Sequence, residues 1–212
     1  MRSVLGKTTF ELIEKKSRFI GLLVHVEDES MVSRILKETK TLYPGATHYV
    51  YGYIIQETKQ KASDDGEPQR TAGYPVLEVL KKQNLNDCLA IVIRYFGGIK
   101  LGAGGLIRAY SHTISETIKR ATFIKKVTRY HCLIETSYDK LNAVLRVLQE
   151  KTNIIHSNYQ ERITFEFFCF DQQFEPIKKQ LFQANQFIDQ LQVIKKENVY
   201  AKVSDSYIQI KK

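Results

Sequence analysis

Two stretches of this chain place chemically useful residue types at useful spacings. In the first, Arg94 to Tyr110, five of the chain's eleven glycines fall at Gly97, Gly98, Gly102, Gly104 and Gly105. Leu89 to Ile93, just before it, is an apolar, β-branched run with the character of a buried strand. From Ala103 onward the apolar residues take helical spacing. A strand that feeds a glycine turn and then a helix leaves backbone N–H groups free at the helix start. Those donors and the positive end of the helix dipole suit a phosphate. Arg94, Lys100 and Arg108 bracket the turn and can add charge-assisted contacts. The plainer reading is that the glycines allow positive φ and close helix-to-strand packing.

The second stretch holds Asp64, Asp65 and Glu67 within four residues. Three such carboxylates can hold magnesium through water, or serve as turn residues offset by Lys61 and Arg70. Beyond these, the signs of catalysis are sparse. His25, His48, His112, His131 and His156 have no metal-ligand spacing. Neither a Gly-x-Ser-x-Gly elbow nor a phosphate-binding Gly-x-x-x-x-Gly-Lys-[Ser/Thr] motif occurs. Cys88, Cys132 and Cys169 are odd in number, widely spaced and set in apolar runs, as buried free thiols would be. No cofactor or metal is expected.

The elements that must position these residues follow from periodicity. Phe10 to Val26 reads as two strands turning near Glu14 to Ser17. Asp28 to Leu42 reads as a helix capped by Asp28 or Ser30, with Val32, Ile35, Leu36, Thr39 and Leu42 facing inward. Pro44-Gly45 stops it. His48 to Ile55 is a strand with Tyr49, Tyr51 and Tyr53 on one face, open to stacking or to core packing. Glu57 to Gly73 is polar and reads as a long loop. Tyr74 to Gln83 is a short helix with Pro75 in its first turn. The helix after the glycine turn runs to about Ala121. Its apolar stripe is Ile107, Tyr110, Ile114, Ile118 and Ala121, and Arg108, His112, Ser115 and Lys119 lie on a neighbouring face.

Near Lys125 to Thr128 the character changes, which sets domains at residues 1–127 and 128–212. Arg129–Thr136, Ile154–Gln160, Arg162–Phe170 and Gln192–Val203 read as strands. Tyr138–Lys151 and Gln172–Asn185 read as helices, and Tyr207–Ile210 as a short pairing segment. The order β-α-β-β-α-β is the split layout of a ferredoxin-like sandwich. The fold class is therefore α+β.

Charge bears on the partner. The formal net charge is +9, and Arg94 to Lys126 alone holds seven basic residues against one acid, Glu116. Such a balance favours polyanions, because neutralising phosphates releases counterions. No apolar run approaches the roughly 20 residues of a membrane helix, and Met1 to Thr9 lacks an apolar signal core. A cytoplasmic location without a membrane partner is expected.

The run Arg94-Tyr95-Phe96-Gly97-Gly98-Ile99-Lys100-Leu101-Gly102-Ala103-Gly104-Gly105-Leu106-Ile107-Arg108-Ala109-Tyr110 resembles the signature of the IMPACT family, whose bacterial members include the YigZ proteins. Ala62 to Leu77 is similar to a second hallmark, with Arg70 where the family usually has glycine. Lys16 to Ile20 and Ala46 to Tyr53 add further matches. The resemblance is strong over about residues 1–127 and continues beyond as layout. It implies an N-terminal domain similar to domain four of elongation factor G and to a ribosomal-protein domain, and a ferredoxin-like C-terminal domain. It also implies a link to translation, since eukaryotic relatives act in translational control by engaging a regulator of a stress kinase.

Together these features point to a non-catalytic protein that binds RNA or the ribosome. Arg94, Lys100, Arg108, His112 and Lys119 would meet phosphates, and amides of the Gly97, Gly98, Gly102, Gly104 and Gly105 segment would accept one. Tyr95 and Phe96 are candidates for base stacking, with core packing the plainer role for at least one. Asp64, Asp65, Glu67 and Arg70 form a possible loop site. Two other readings stay open: an enzyme handling phosphate or nucleotide at the glycine turn, and a protein-interaction module. Oligomeric state is not legible.

Overall fold

The computed structural model describes residues 2–185, 191–203 and 208–209. The chain forms two compact units, one built from the residues up to Lys125 with the segment from Lys202, the other from Lys126–Ala201.

In the first unit the elements are β1 (Arg2–Val4), β2 (Lys7–Glu14), β3 (Ser17–His25), α1 (Glu29–Leu42), β4 (His48–Ile55), β5 (Lys59–Ser63), α2 (Gly73–Lys82), β6 (Cys88–Tyr95) and α3 (Ala103–Lys119). Five of the strands form a sheet in the order β2-β3-β6-β4-β5, antiparallel at every pairing. Central β6 is buried from Cys88 to Arg94. Its near-continuous apolar sequence follows from having both faces covered. On one face α2 and α3 bury Val76, Leu80, Tyr110 and Ile114 against Phe19, Leu23, Val50 and Val92. On the other, Val32 of α1 packs with Leu22, Tyr53, Ile55, Ile91 and Ile93. Each such large side chain contributes about 1.5–3 kcal/mol when fully buried.

Asp28 caps α1 by accepting the Met31 amide at 2.8 Å. Val32 and Thr39 face inward, but Leu42, expected with them, is 60% exposed at the helix end. The stripe expected of α3 likewise departs at one position. Tyr110, Ile114 and Ile118 are buried with Leu106, Ala109, Thr113 and Thr117, while Ile107 is 41% exposed. The small residues Ala109, Thr113 and Thr117 let the helix approach β3 at Gly21, where a Cβ would meet the Thr113 and Thr117 side chains.

Glu57 to Gly73 is not one long loop. Gln56 and Glu57 turn with φ of 50° and 64°, and β5 returns along β4. The strand is polar because it lies at the sheet edge, with Lys59, Gln60 and Lys61 exposed. Tyr49, Tyr51 and Tyr53 share a face as expected, but that face packs against α1. The Tyr53 hydroxyl donates to Glu29 and the Tyr49 hydroxyl to the Tyr43 carbonyl at 2.5 Å, so these rings are not a free stacking platform.

β7 (Phe123–Thr136) begins six residues earlier than its sequence pattern suggests, and β1 pairs with its first residues. In the second unit it is followed by α4 (Leu141–Lys151), β8 (Asn153–Tyr159), β9 (Ile163–Phe170), α5 (Asp171–Asn185) and β10 (Leu191–Val203). The sheet order is β10-β7-β9-β8. Ile163, Phe165, Phe167 and Cys169 alternate inward on β9 and meet Val144 and Leu148 of α4 and Ile177 and Leu181 of α5. A short β11 (Ile208–Gln209) pairs with the end of β10. Tyr207 and Ile210, expected to share in that pairing, lie outside the described residues. Cys88, Cys132 and Cys169 are buried free thiols. Among the described residues no helix is long and apolar enough to cross a membrane.

Candidate functional site

The glycine segment joins the end of β6 to the start of α3, and each end has a physical reason. Gly98 and Gly102 take φ of 82° and 73°, backbone that other residues adopt only under strain. Gly97 is needed for space: a Cβ there would overlap the Lys16 carbonyl and the Ser17 nitrogen. Ser17 Oγ accepts the Gly97 amide at 3.1 Å and Arg94 Nη2 at 3.3 Å. The Phe96 amide donates to Thr47 Oγ1 at 3.1 Å. The turn is thus held between the β2–β3 hairpin and the segment entering β4.

Arg94 faces the interior. It is 4% exposed, and Nη1 donates to Glu67 Oε1 at 2.5 Å. Tyr110 donates to the same oxygen at 2.6 Å, and His48 Nε2 lies 3.9 Å from it. The guanidinium also stacks within 5.2 Å of Phe19 and 5.4 Å of Phe96, while its Nε has no hydrogen-bond partner among the described residues. A buried carboxylate needs this much compensation, because desolvating a charge costs several kcal/mol. Burial, reinforced by the Glu67 hydrogen bond, pushes the Tyr110 hydroxyl far above the ordinary phenol range. The phosphate role expected of Arg94 gives way to a brace beneath the turn.

The acid loop is organised by backbone donors. Asp64 accepts the amides of Arg70 at 2.8 Å, Ala72 at 3.1 Å and Gly73 at 2.8 Å. It thereby caps α2, whose own N-cap residue, Ala72, has no side-chain acceptor. Asp65 Oδ2 accepts the Tyr49 amide at 2.6 Å, and its carbonyl bonds His48 Nδ1 at 2.8 Å. Arg70 has a φ of 61° and lies 4.5 Å over the Tyr74 ring. Among the described residues no three His, Cys, Asp or Glu side chains converge as metal ligands.

On the outer side of the turn the charge is free. Lys100, Arg108 and His112 are exposed. Arg108 is the arginine of the first unit with neither a carboxylate nor a ring partner among the described residues. It folds back so that Nη1 lies 3.6 Å from where a Cβ on Gly104 would stand, above the first turn of α3. That turn has no acidic residue and no side-chain cap, so its leading amides stay open. Beside it the hairpin presents Lys15 and Lys16, with φ of 46° and 63°. Lys15, Arg108 and His112 line a cleft of about 320 Å³ with Glu14, Leu12, Leu101, Gly105 and Ala109.

Lys119 stands apart, 11 residues beyond Arg108 or roughly 16 Å along the helix. It pairs with Glu116 at 2.5 Å, as does Arg120 at 2.9 Å, and these bonds push the Glu116 carboxyl down to about 2. Tyr95 Oη reaches the Pro44 carbonyl at 3.3 Å, while Phe96 remains 46% exposed. Sequence reasoning missed Lys15 as part of this face and Ser17 as the buried acceptor that holds the turn. Two adjacent lysines between alternating strands were the available signal, since a two-residue hairpin places both at its tip.

Comparison with known proteins agrees with this layout. A family model, the Impact N-terminal domain, matches residues 15–118, which take in the turn and second strand of the hairpin, the acid loop and the glycine turn. The chain is 41% identical over 159 residues to the IMPACT family member YvyE of Bacillus subtilis, covering 74% of this chain and 73% of that one. It is 32% identical over 151 residues to YigZ of Escherichia coli, covering 69% and 74%. A crystal structure of a hypothetical protein matches with a TM-score of 0.58 and 26% identity, over 91% of this chain and 95% of that one. With the hairpin's turn, the acid loop and the glycine turn inside the matched region, and relatives 41% and 32% identical over most of both chains, the protein belongs to the IMPACT family.

Proposed function

We propose that this protein is a non-catalytic, cytoplasmic RNA-binding member of the IMPACT family that acts in the regulation of translation through structured RNA or the ribosome. The observation that carries this reading is the unpaired basic face at the glycine turn. Lys15, Arg108 and His112 line a cleft with Gly105 at the start of α3, Lys16 and Lys100 are exposed in the adjoining turns, and among the described residues Arg108 lacks the acidic or aromatic partner that other arginines of its unit have. The +9 net charge acts in the same direction. Lys119, held by Glu116, is at most an outlying contact. The link to translation rests on the family resemblance.

The finer fold assignment belongs to the same proposal. The first domain, residues 1–127, takes the fold of elongation factor G domain four. The second, 128–212, is a ferredoxin-like sandwich, supported by its β-α-β-β-α-β order and its strands in the order β10-β7-β9-β8.

The test is the salt dependence of RNA binding. Replacing Lys100 and Arg108 together with alanine should weaken binding to all structured RNAs alike. The slope of log K against log salt should fall by roughly 1.4–1.8, at 0.7–0.9 for each phosphate no longer neutralised, with melting unchanged. An unchanged slope in a folded variant would exclude the polyanion reading and leave a protein-interaction module in its place.

A further inference from the structure

The cleft between the β2–β3 hairpin and α3 has a shape and chemistry that the proposed RNA contact does not by itself require. A face that only follows a phosphate backbone needs cations and little else. This one has a recess of about 320 Å³ with an apolar floor of Leu12, Leu101 and Ala109, near the small end of the range for small-molecule sites. Gly105 keeps the floor open on the helix side, since a Cβ there would stand 3.0 Å from that of Leu101. The rim carries Lys15, Arg108 and His112, all exposed and unpaired among the described residues.

One acid, Glu14, shares the rim and has no partner among the described residues. It repels a bare phosphate, yet its carboxylate is an acceptor for hydroxyl or amino hydrogens. Cations, an apolar floor and a lone acceptor within one recess match a phosphate ester that carries a flat apolar body and hydroxyl groups. We infer that the cleft binds one nucleotide. Its phosphate lies on Arg108, Lys15 and His112, its base lies over Leu12, Leu101 and Ala109, and its ribose hydroxyls donate to Glu14. The nucleotide comes either as an unpaired residue of a bound RNA, which rests on the function proposed above, or as a free nucleotide, which does not.

The two lysines of the hairpin suit such a site. Lys15 and Lys16 both occupy left-handed backbone, which costs a non-glycine residue about 1–2 kcal/mol. Asparagine and glycine would fill this turn at less cost, so the lysines fit a role outside folding.

The experiment uses the whole ¹⁵N-labelled chain with three probes: inorganic phosphate, adenosine 5′-monophosphate and a six-residue single-stranded oligoadenylate. Adenosine monophosphate should shift the amides of Leu101, Gly104, Gly105 and His112, and bind at least tenfold more tightly than inorganic phosphate. Arg108→Ala should weaken it about tenfold or more, the worth of one charge-assisted contact, and Arg108→Lys should restore part of the loss. Glu14→Gln should strengthen phosphate and weaken the nucleotide, narrowing the gap between them. If the oligonucleotide competes for the same amides, RNA is the source. If adenosine monophosphate binds and no RNA does, the cleft serves a free nucleotide and the RNA-binding proposal falls. Equal affinity for phosphate and nucleotide, or amides unmoved by millimolar nucleotide, would overturn the inference. The salt slope of RNA binding would stand apart from that result.

Discussion

At the scale of single residues, Glu67 decides how this site is built. A carboxylate shared by Arg94 and Tyr110 in the interior is stable only while its partners remain. Arg94→Met should therefore cost about 3–5 kcal/mol, because it leaves a buried charge unpaired. Tyr110→Phe removes one donor and should cost about 1–3 kcal/mol. Urea unfolding of both variants checks the order. A loss under 1 kcal/mol for Arg94→Met would show that the pair does not hold the turn. A second residue-scale consequence appears at alkaline pH. Burial and the Glu29 hydrogen bond push the Tyr53 hydroxyl up to about 12, above the value near 10 of an unfolded tyrosine. The folded state therefore favours the protonated form. This stability is fully present below pH 10 and is lost as pH rises toward 12. Unfolding measured from pH 9 to 12, beside phenolate absorbance, should show a decline that Tyr53→Phe reduces. None of the Glu67 contacts was legible in the sequence, since its partners lie 27 and 43 residues away.

At the scale of elements, the hairpin and the capped helix carry the clearest predictions. Lys15-Lys16→Asn-Gly should stabilise the first unit by about 1 kcal/mol or more, since both positions have positive φ in a two-residue turn. The same change should weaken nucleotide binding at the cleft, and a gain in both would detach the hairpin from the site. Asp64→Ala removes the acceptor of three amides at the start of α2 and should cost about 1–2 kcal/mol. Magnesium should not compensate for that loss if Asp64 is a cap; restored melting on adding magnesium would revive a metal reading of the acid loop. Most elements were legible because each has an apolar face with period 2 or 3.6. β5 was not, because an edge strand with exposed lysines carries no such period. The face of α3 was legible at Tyr110, Ile114 and Ile118 but misassigned at Ile107. Small residues, Ala109, Thr113 and Thr117, line its contact with β3, and a search for large apolar residues passes over them.

At the scale of the whole molecule, two units with separate apolar cores should unfold separately once one is weakened. Arg94→Met should split thermal unfolding into two steps, the earlier one reporting the first unit. One shared step, moved down as a whole, would mean that the units are cooperative. Local order along the chain sufficed for the α+β class and the strand–glycine–helix passage. Apolar periodicity and glycine backbone freedom are properties of neighbouring residues, and the family motif is itself one continuous run. The tertiary structure decided which charges are available. Arg94, Lys100 and Arg108 look equivalent around the glycines, yet one is buried on Glu67 while two face outward. Asp64 is open in the sequence to a metal or a turn role, and in the fold it accepts three amides at the start of α2. Those outcomes depend on which side chains meet across the sheet, and desolvation of a charge is set by neighbours distant in sequence.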